Sequence, residues 1–204
     1  VKCYLPVDDQ AGQRIELMRR ALDHLSFLRP IEPLTVRHVA DEDWANAWKE
    51  HYHVLHIGRR LVIAPTWRDY RPQAGDLVIR LDPGMAFGTG LHPTTRLCLE
   101  RLEDNVQPGM SVLDVGTGSG ILALAAARLG AGEVLAVETD PVAVSAAEQN
   151  IALNALSHVI TVQHGSLPLT HARQFDVVVA NIIARVIAEL ASPLAAALKP
   201  GGVL

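Results

Sequence analysis

The hydrophobic pattern changes character along the chain. In residues 10–28, "QAGQRIELMRRALDHLSFL", Ile15, Met18, Leu22 and Leu25 recur at helical spacing. That pattern predicts an amphipathic helix, ended by Arg29-Pro30. "IEPLTVRHV" reads as a strand, and Asp43 can cap a short helix with Trp44 and Trp48 on one face. "RRLVIAPTW" and "GDLVIRL" read as two more strands. From residue 93 the alternation becomes regular. Pro93, after His92, opens a helix to about Leu102. Strand "SVLDVG", helix "GILALAAARLG" closed by Gly130, strand "EVLAVETD" and a helix from Pro141 follow. Strands "ITVQHG" and "FDVVVANI" come next, then a helix from Arg185 to Leu198 ended by Lys199-Pro200-Gly201-Gly202. Continuous apolar strands between helices imply a parallel sheet covered on both faces. The expected fold is α/β, a doubly wound, mostly parallel sheet, preceded by a small α+β domain. The polar, turn-rich stretch within residues 68–76 sets the boundary, giving domains 1–70 and 71–204.

Composition changes this picture little. A chain of 204 residues with 49% hydrophobic and 20% charged residues is ordinary globular material. Charge is uneven: residues 1–80 carry 12 basic and 11 acidic side chains, and residues 81–204 carry 6 and 11. Neither part has the basic stripe of a nucleic-acid binder. The acidic part tolerates a cationic ligand, although solubility alone explains it as well. Cys3 and Cys98 are too far apart in a chain of this size to suggest a disulfide framework and read as reduced thiols. There is no apolar run of membrane-spanning length. A cytoplasmic monomer is therefore expected. His51-x-His53 has the look of a metal pair, but no Cys or carboxylate constellation accompanies it, and no metal is expected.

The chemistry concentrates in "VLDVGTGSGILALAAA", a buried strand, a glycine turn and a helix. Gly116 and Gly118 permit a tight turn and close backbone approach to a ligand, and Gly120 lets the helix pack near the strand. Glu138 ends the next strand, 22 residues after Gly116, where a carboxylate can accept hydrogen bonds from both ribose hydroxyls. Together these features predict adenosine binding. The glycines fall as G-x-G-x-G, not G-x-G-x-x-G, and Asp114 stands two residues before the first. A carboxylate there repels a pyrophosphate and suits the amino group or sulfonium of S-adenosylmethionine. Asp114 can equally cap the backbone amides of its own loop.

At these residues the chain resembles a known family. "LDVGTGSG", "AVETDP" and "LKPGG" are similar to the class I S-adenosylmethionine-dependent methyltransferases. "DPGMAFGTGLHPTTRLCLERL", "ANII" at Ala180–Ile183 and "DWANAWKEHYHVLHIGRRLVIAPTW" resemble the bacterial family that methylates large-subunit ribosomal protein eleven. The resemblance implies cofactor contacts at Thr95, Gly116, Glu138 and Asn181. Glu138 replaces the family's usual Asp and does the same ribose work. Many class I enzymes face the adenine with an acidic residue; here the stretch is "HGSL", and Ser166 can bond the adenine instead. The family fold continues past "KPGGVL" with more strand, a helix and a closing hairpin, so one sheet edge is expected to be bare or covered by other chain. The upstream loop, with Met85, Phe87 and Gly88, reads as a flap over the methionine end of the cofactor, with Thr95 touching it.

Asn181 follows the apolar strand "FDVVVA" at the edge where open α/β sheets bind ligands. It can cap a turn, or its carbonyl can orient the amine that receives the methyl. The expected activity is therefore transfer of methyl groups from S-adenosylmethionine to lysine or N-terminal amino groups of a large-subunit ribosomal protein. The residues leave open a small-molecule or other-protein methyltransferase, or a non-catalytic adenosine-binding module.

Overall fold

The computed structural model describes residues 8, 10–26, 34–36, 52–82, 90, 92–169, 171 and 173–204. The chain divides into two compact units, Val1–Glu50 and His51–Leu204. In the first, helix α1 (Ala11–Ser26) half-buries Ile15, Met18 and Leu22, while Leu25 is exposed. Of the strand expected over 31–39, only residues 34–36 are described, and they are irregular. Cys3, Trp44, Trp48 and His51 lie outside the described residues.

The second unit begins with strands β1 (Leu55–Ile57), β2 (Leu61–Pro65) and β3 (Leu77–Leu81), which form a sheet in chain order. β1 is antiparallel to β2, and β2 is parallel to β3. The expected domain boundary near 68–76 falls inside this unit, as the crossover between β2 and β3. It is not a linker. Tyr70 donates its hydroxyl to Asp76 at 2.5 Å, and the Arg80 guanidinium donates to the carbonyls of Arg68 and Tyr70 at 3.1 and 3.2 Å. Polar composition here reflects hydrogen bonds that close a loop, and the division of the chain lies some twenty residues earlier.

Helix α2 (Pro93–Asn105) follows, with His92 Nδ1 accepting from the Thr94 amide. Then come β4 (Ser111–Val115), α3 (Ile121–Arg128), β5 (Glu133–Glu138), α4 (Pro141–Leu153), β6 (Ile160–His164) and β7 (Phe175–Ala180). The unit ends with α5 (Ala184–Glu189), α6 (Ala191–Ala196) and β8 (Leu198–Val203). The second sheet has order β6-β5-β4-β7-β8 with every neighbouring pair parallel. Core residues of the small sheet (Ile57, Ile63, Ile79) pack in one cluster with Leu99 of α2, Leu124 of α3 and Val134 of β5. A second cluster around Leu113, Val137, Phe175 and Leu194 fills the other face of the large sheet.

One expected helix is corrected. Residues 185–198 do not form a single helix; they break at Leu190, and Leu198 begins a strand. Pro193 cannot donate an amide, and its ring opposes the carbonyl four residues back, at Glu189, where α5 stops. The "KPGG" segment is not the end of a helix but part of β8, whose only partner in the described sheet is β7. Pro200 lies between Leu198 and Val203, where the β7–β8 register is irregular, and a bulge does not need every amide.

Candidate active site

The sheet register builds the site. Val115 of β4 lies opposite Val137 of β5 on one side and Ala180 of β7 on the other. The next residue on each strand is Gly116, Glu138 and Asn181. Three candidate residues separated by up to 65 positions therefore leave the carboxyl edge of the sheet side by side. Chain order runs outward from β4 through β5 to β6, then returns to β7 on the other side. The gap between β4 and β7 is thus the topological switch point, where open α/β sheets bind ligands.

The glycine turn is needed sterically. Gly116, Gly118 and Gly120 have φ of 73°, 56° and 84°. A Cβ on Gly116 would strike the side chain of Ile182. A Cβ on Gly120 would stand 3.4 Å from Ala147 of α4, an ordinary contact, so this glycine is required by its φ and not by lack of space.

Three side chains pin the turn. Asp114 Oδ2 accepts from the Thr117 hydroxyl at 2.6 Å and from the Ala123 amide at 3.1 Å. Gly120, the N-cap of α3, has no side chain to offer, so Asp114 supplies that cap from the preceding strand. Asp114 thus holds a loop hydroxyl and a helix amide, and its described partners include no backbone amide of the loop itself. Its other oxygen, Oδ1, is buried without a hydrogen-bond partner among the described residues. Burial raises the Asp114 pKa from 3.8 to about 6, against the lowering effect of the Thr117 and Ala123 hydrogen bonds; the Glu138 charge adds a smaller upward push. Glu138 Oε2 accepts from the Gly118 amide at 3.0 Å, while Oε1 accepts from the amides of Thr139 and Asp140 at 2.8 and 3.1 Å. Asn150 of α4 donates to the Ser119 carbonyl at 2.9 Å.

On the β7 side, the Asn181 amide donates to Thr95 Oγ1 at 3.0 Å. Thr95 is fully buried in the first turn of α2. Two residues 86 apart, each implied separately as a contact, are thus one hydrogen-bonded pair. The bond uses an amide donor of Asn181, and the carbonyl Oδ1 is the atom suited to accept from an amine. Ser166 is exposed, one residue beyond Gly165, whose amide donates to the Glu138 carbonyl at 2.7 Å. It lies past the end of β6, beside the Glu138 end of β5. Met85, Phe87 and Gly88 lie outside the described residues, as does the flap assigned to them. His53 is exposed, and no group of three or more His, Cys, Asp or Glu among the described residues is placed to hold a metal ion. Cys98 is a half-buried free thiol whose pKa is raised by burial and, secondarily, by Asp114.

Sequence reasoning missed Thr117, Ile182 and Asn150. Thr117 could have been found as a hydroxyl inside the glycine run. Ile182 and Asn150 act on the loop from β7 and α4, and no local pattern announces that.

A parallel sheet in this order, with its glycine turn at the switch point, is the Rossmann-like fold of class I methyltransferases. The chain belongs to the PrmA family, ribosomal protein L11 methyltransferase, whose sequence model matches residues 1–204. A ribosomal protein L11 methyltransferase from Chloroflexus aurantiacus is 50% identical over 228 residues, covering 100% of this chain and 70% of that protein. The chain spans between 65% and 70% of the length of the curated relatives it matches. The crystal structure of ribosomal protein L11 methylase from Lactobacillus delbrueckii subsp. bulgaricus superposes with a TM-score of 0.69 at 44% identity, covering 74% of this chain and 78% of that one. A Thermus thermophilus 16S rRNA N2 G1207 methyltransferase, in complex with AdoMet and guanosine, superposes with a TM-score of 0.51 at 33% identity, covering 57% of this chain and 35% of that one.

Proposed function

We propose that this chain carries the S-adenosylmethionine site and methyl-transfer centre of an enzyme that methylates amino groups of large-subunit ribosomal protein L11. The carrying observation is the Asn181–Thr95 pair beside the Gly116–Gly120 turn, at the switch point of the sheet. The relatives' names supply the substrate.

The residues fit the cofactor. The Ile182 side chain packs where a Cβ on Gly116 would stand, so only glycine lets the turn keep the path it takes across the switch point. Glu138 stands at the ribose position, and Ser166 is within the same edge for the adenine. The orphaned Oδ1 of Asp114 gives the turn a negative character that suits a cation and opposes a pyrophosphate. S-adenosylmethionine supplies a methyl group on a sulfonium, open to in-line displacement by a neutral amine.

What remains for the protein is to hold that amine in line and dry. At pH 7.4 about one free lysine in a thousand is neutral, given a pKa near 10.4. An apolar pocket raises that fraction by disfavouring the ammonium. Asn181, held by Thr95, presents its carbonyl to an amine N–H and so turns the lone pair toward the methyl. Asn181 is the orienting group in this reading, and no dedicated general base is required. Residues preceding the methyl-transfer unit grip the ribosomal substrate. Such an enzyme works in the cytoplasm, with a protein partner and no direct nucleic-acid contact; no helix among the described residues is long and apolar enough to cross a membrane.

The test is incubation with methyl-labelled S-adenosylmethionine and total ribosomal protein. Label on a single small large-subunit band supports the proposal, and label confined to small molecules defeats it. Asn181→Ala should lower kcat by about 10²-fold, as expected for a lost positioning contact. Wild-type turnover in that variant removes Asn181 from the mechanism.

A further inference from the structure

Two asparagines are buried on one face of α4. Asn150 is 1% exposed and Asn154, at the helix C-cap, 5%. Both bond the edge of β3 that faces away from β2. Asn154 accepts from the Arg80 amide at 2.9 Å and donates to the Arg80 carbonyl at 2.6 Å. Asn150 does the same with Asp82, at 2.9 and 3.0 Å. Positions four apart on a helix match positions two apart on a strand, because both spacings are about 6 Å. Two side-chain amides thus stand in for a missing neighbouring strand.

Asn150 does one thing Asn154 does not. Its second amide hydrogen goes to the Ser119 carbonyl, inside the glycine turn, at 2.9 Å. That turn has glycines at 116, 118 and 120 and little side-chain mass with which to anchor itself. Its three middle residues are held by three different side chains: Thr117 by Asp114, Gly118 by Glu138, and Ser119 by Asn150. Glu138 is the group assigned to the ribose, so its hold on Gly118 competes with its hold on a ligand. Asn150 is buried behind the turn and has no such competition.

We propose that Asn150 is a positioning residue for cofactor binding, fixing the glycine turn through the Ser119 carbonyl against the end of β3. This rests on the reading of Gly116–Gly120 as the cofactor floor. An Asn is required because the site needs one acceptor, for Asp82 N–H, and two donors, for the Asp82 and Ser119 carbonyls.

Asn154→Ala is the control: it loses the same kind of strand contact, together with its bonds to the Asn150 carbonyl and from the Arg128 guanidinium, and has no bond to the turn. Affinity for S-adenosylhomocysteine is measured by calorimetry, with thermal melting alongside. Asn150→Ala should bind about tenfold more weakly, the effect of one hydrogen bond of ordinary strength. Asn154→Ala should melt lower by a similar amount yet bind within twofold of wild type. Equal weakening in both variants, or unchanged binding in Asn150→Ala, overturns the proposal. If Asn150→Ala does not fold, Asn150→Asp decides. It is isosteric and keeps the acceptor, but a carboxyl group cannot donate to both carbonyls. Unchanged affinity in Asn150→Asp also overturns the proposal. A wild-type protein that binds no S-adenosylhomocysteine refutes the cofactor reading itself, which is a separate outcome.

Discussion

Asp114→Asn should make this protein more stable as pH rises, relative to the unsubstituted chain. The side chain is fully buried, and burial raises its pKa from 3.8 to about 6. Below pH 3.8 the carboxyl is protonated in both folded and unfolded states, and folding moves no proton at this site. Between 3.8 and about 6 the unfolded chain ionises while the folded one keeps its proton, so stability falls as pH rises. Above pH 6 the folded state carries a buried charge, and the interval from 3.8 to about 6 corresponds to about 3 kcal/mol. Asparagine resembles the protonated acid. Its carbonyl can take the place of Oδ2, accepting from Thr117 and Ala123, and it does not titrate. Urea denaturation of both proteins from pH 4 to 7.5 isolates the group and its coupling to Glu138, because titrations that do not feel Asp114 cancel in the difference. The advantage of the variant should grow by about 2–2.5 kcal/mol over that range, since part of the shift is already spent at pH 4. A difference that stays within 1 kcal/mol throughout refutes the account of Asp114 as a buried charge with an orphaned oxygen. The same variant should bind S-adenosylmethionine more weakly, since the negative character of the turn is lost. Greater stability with weaker binding is the pattern of a residue kept for function.

Other outcomes follow from the same geometry. Gly116→Ala forces a side chain into φ of 73° and against Ile182, and should lower stability by about 1–2 kcal/mol, read by urea midpoint. Its cofactor affinity, measured by titration, should fall as well. The Asp176 carboxyl is held at about 2 by the Lys199 ammonium and by Ser111, which donates from its amide and its hydroxyl at 2.8 Å. That stabilisation is present above the ordinary value of 3.8 and is lost as pH falls through about 2. Asp176→Asn should therefore flatten the acid limb of the stability profile, and an unchanged limb counts against the ion pair.

Much of this architecture is local and was readable. Pro93 and Pro141 each stand directly after a residue whose side chain caps the helix, so both helix starts follow from neighbours in sequence. The glycine spacing and the acid at 138 follow from strand–turn–helix geometry, and the register of Val115 with Val137 then places them together. Thr95 and Asn181 were different. Family resemblance marked both, but nothing in their spacing said that one would hydrogen-bond the other across 86 residues. The break at Leu190 was written in Pro193, four residues past Glu189, yet the apolar run on either side outweighed it. Asn150 and Asn154 were unreadable in principle. A polar residue on a helix usually marks the solvent face, and only the β3 edge, some seventy residues upstream, makes these two buried.

That amide ladder also sets an order of events in synthesis. The outer edge of β3 closes on side chains 68 and 74 positions further along the chain. At about 5–20 residues per second, the edge waits roughly 4–15 s for its partners to be made. During that interval the nascent chain exposes strand amides and carbonyls beside apolar Leu77, Ile79 and Leu81, the profile of a segment open to mispairing. The small sheet is therefore the first sheet of this unit to be synthesised, and its outer edge stays open until α4 has been made.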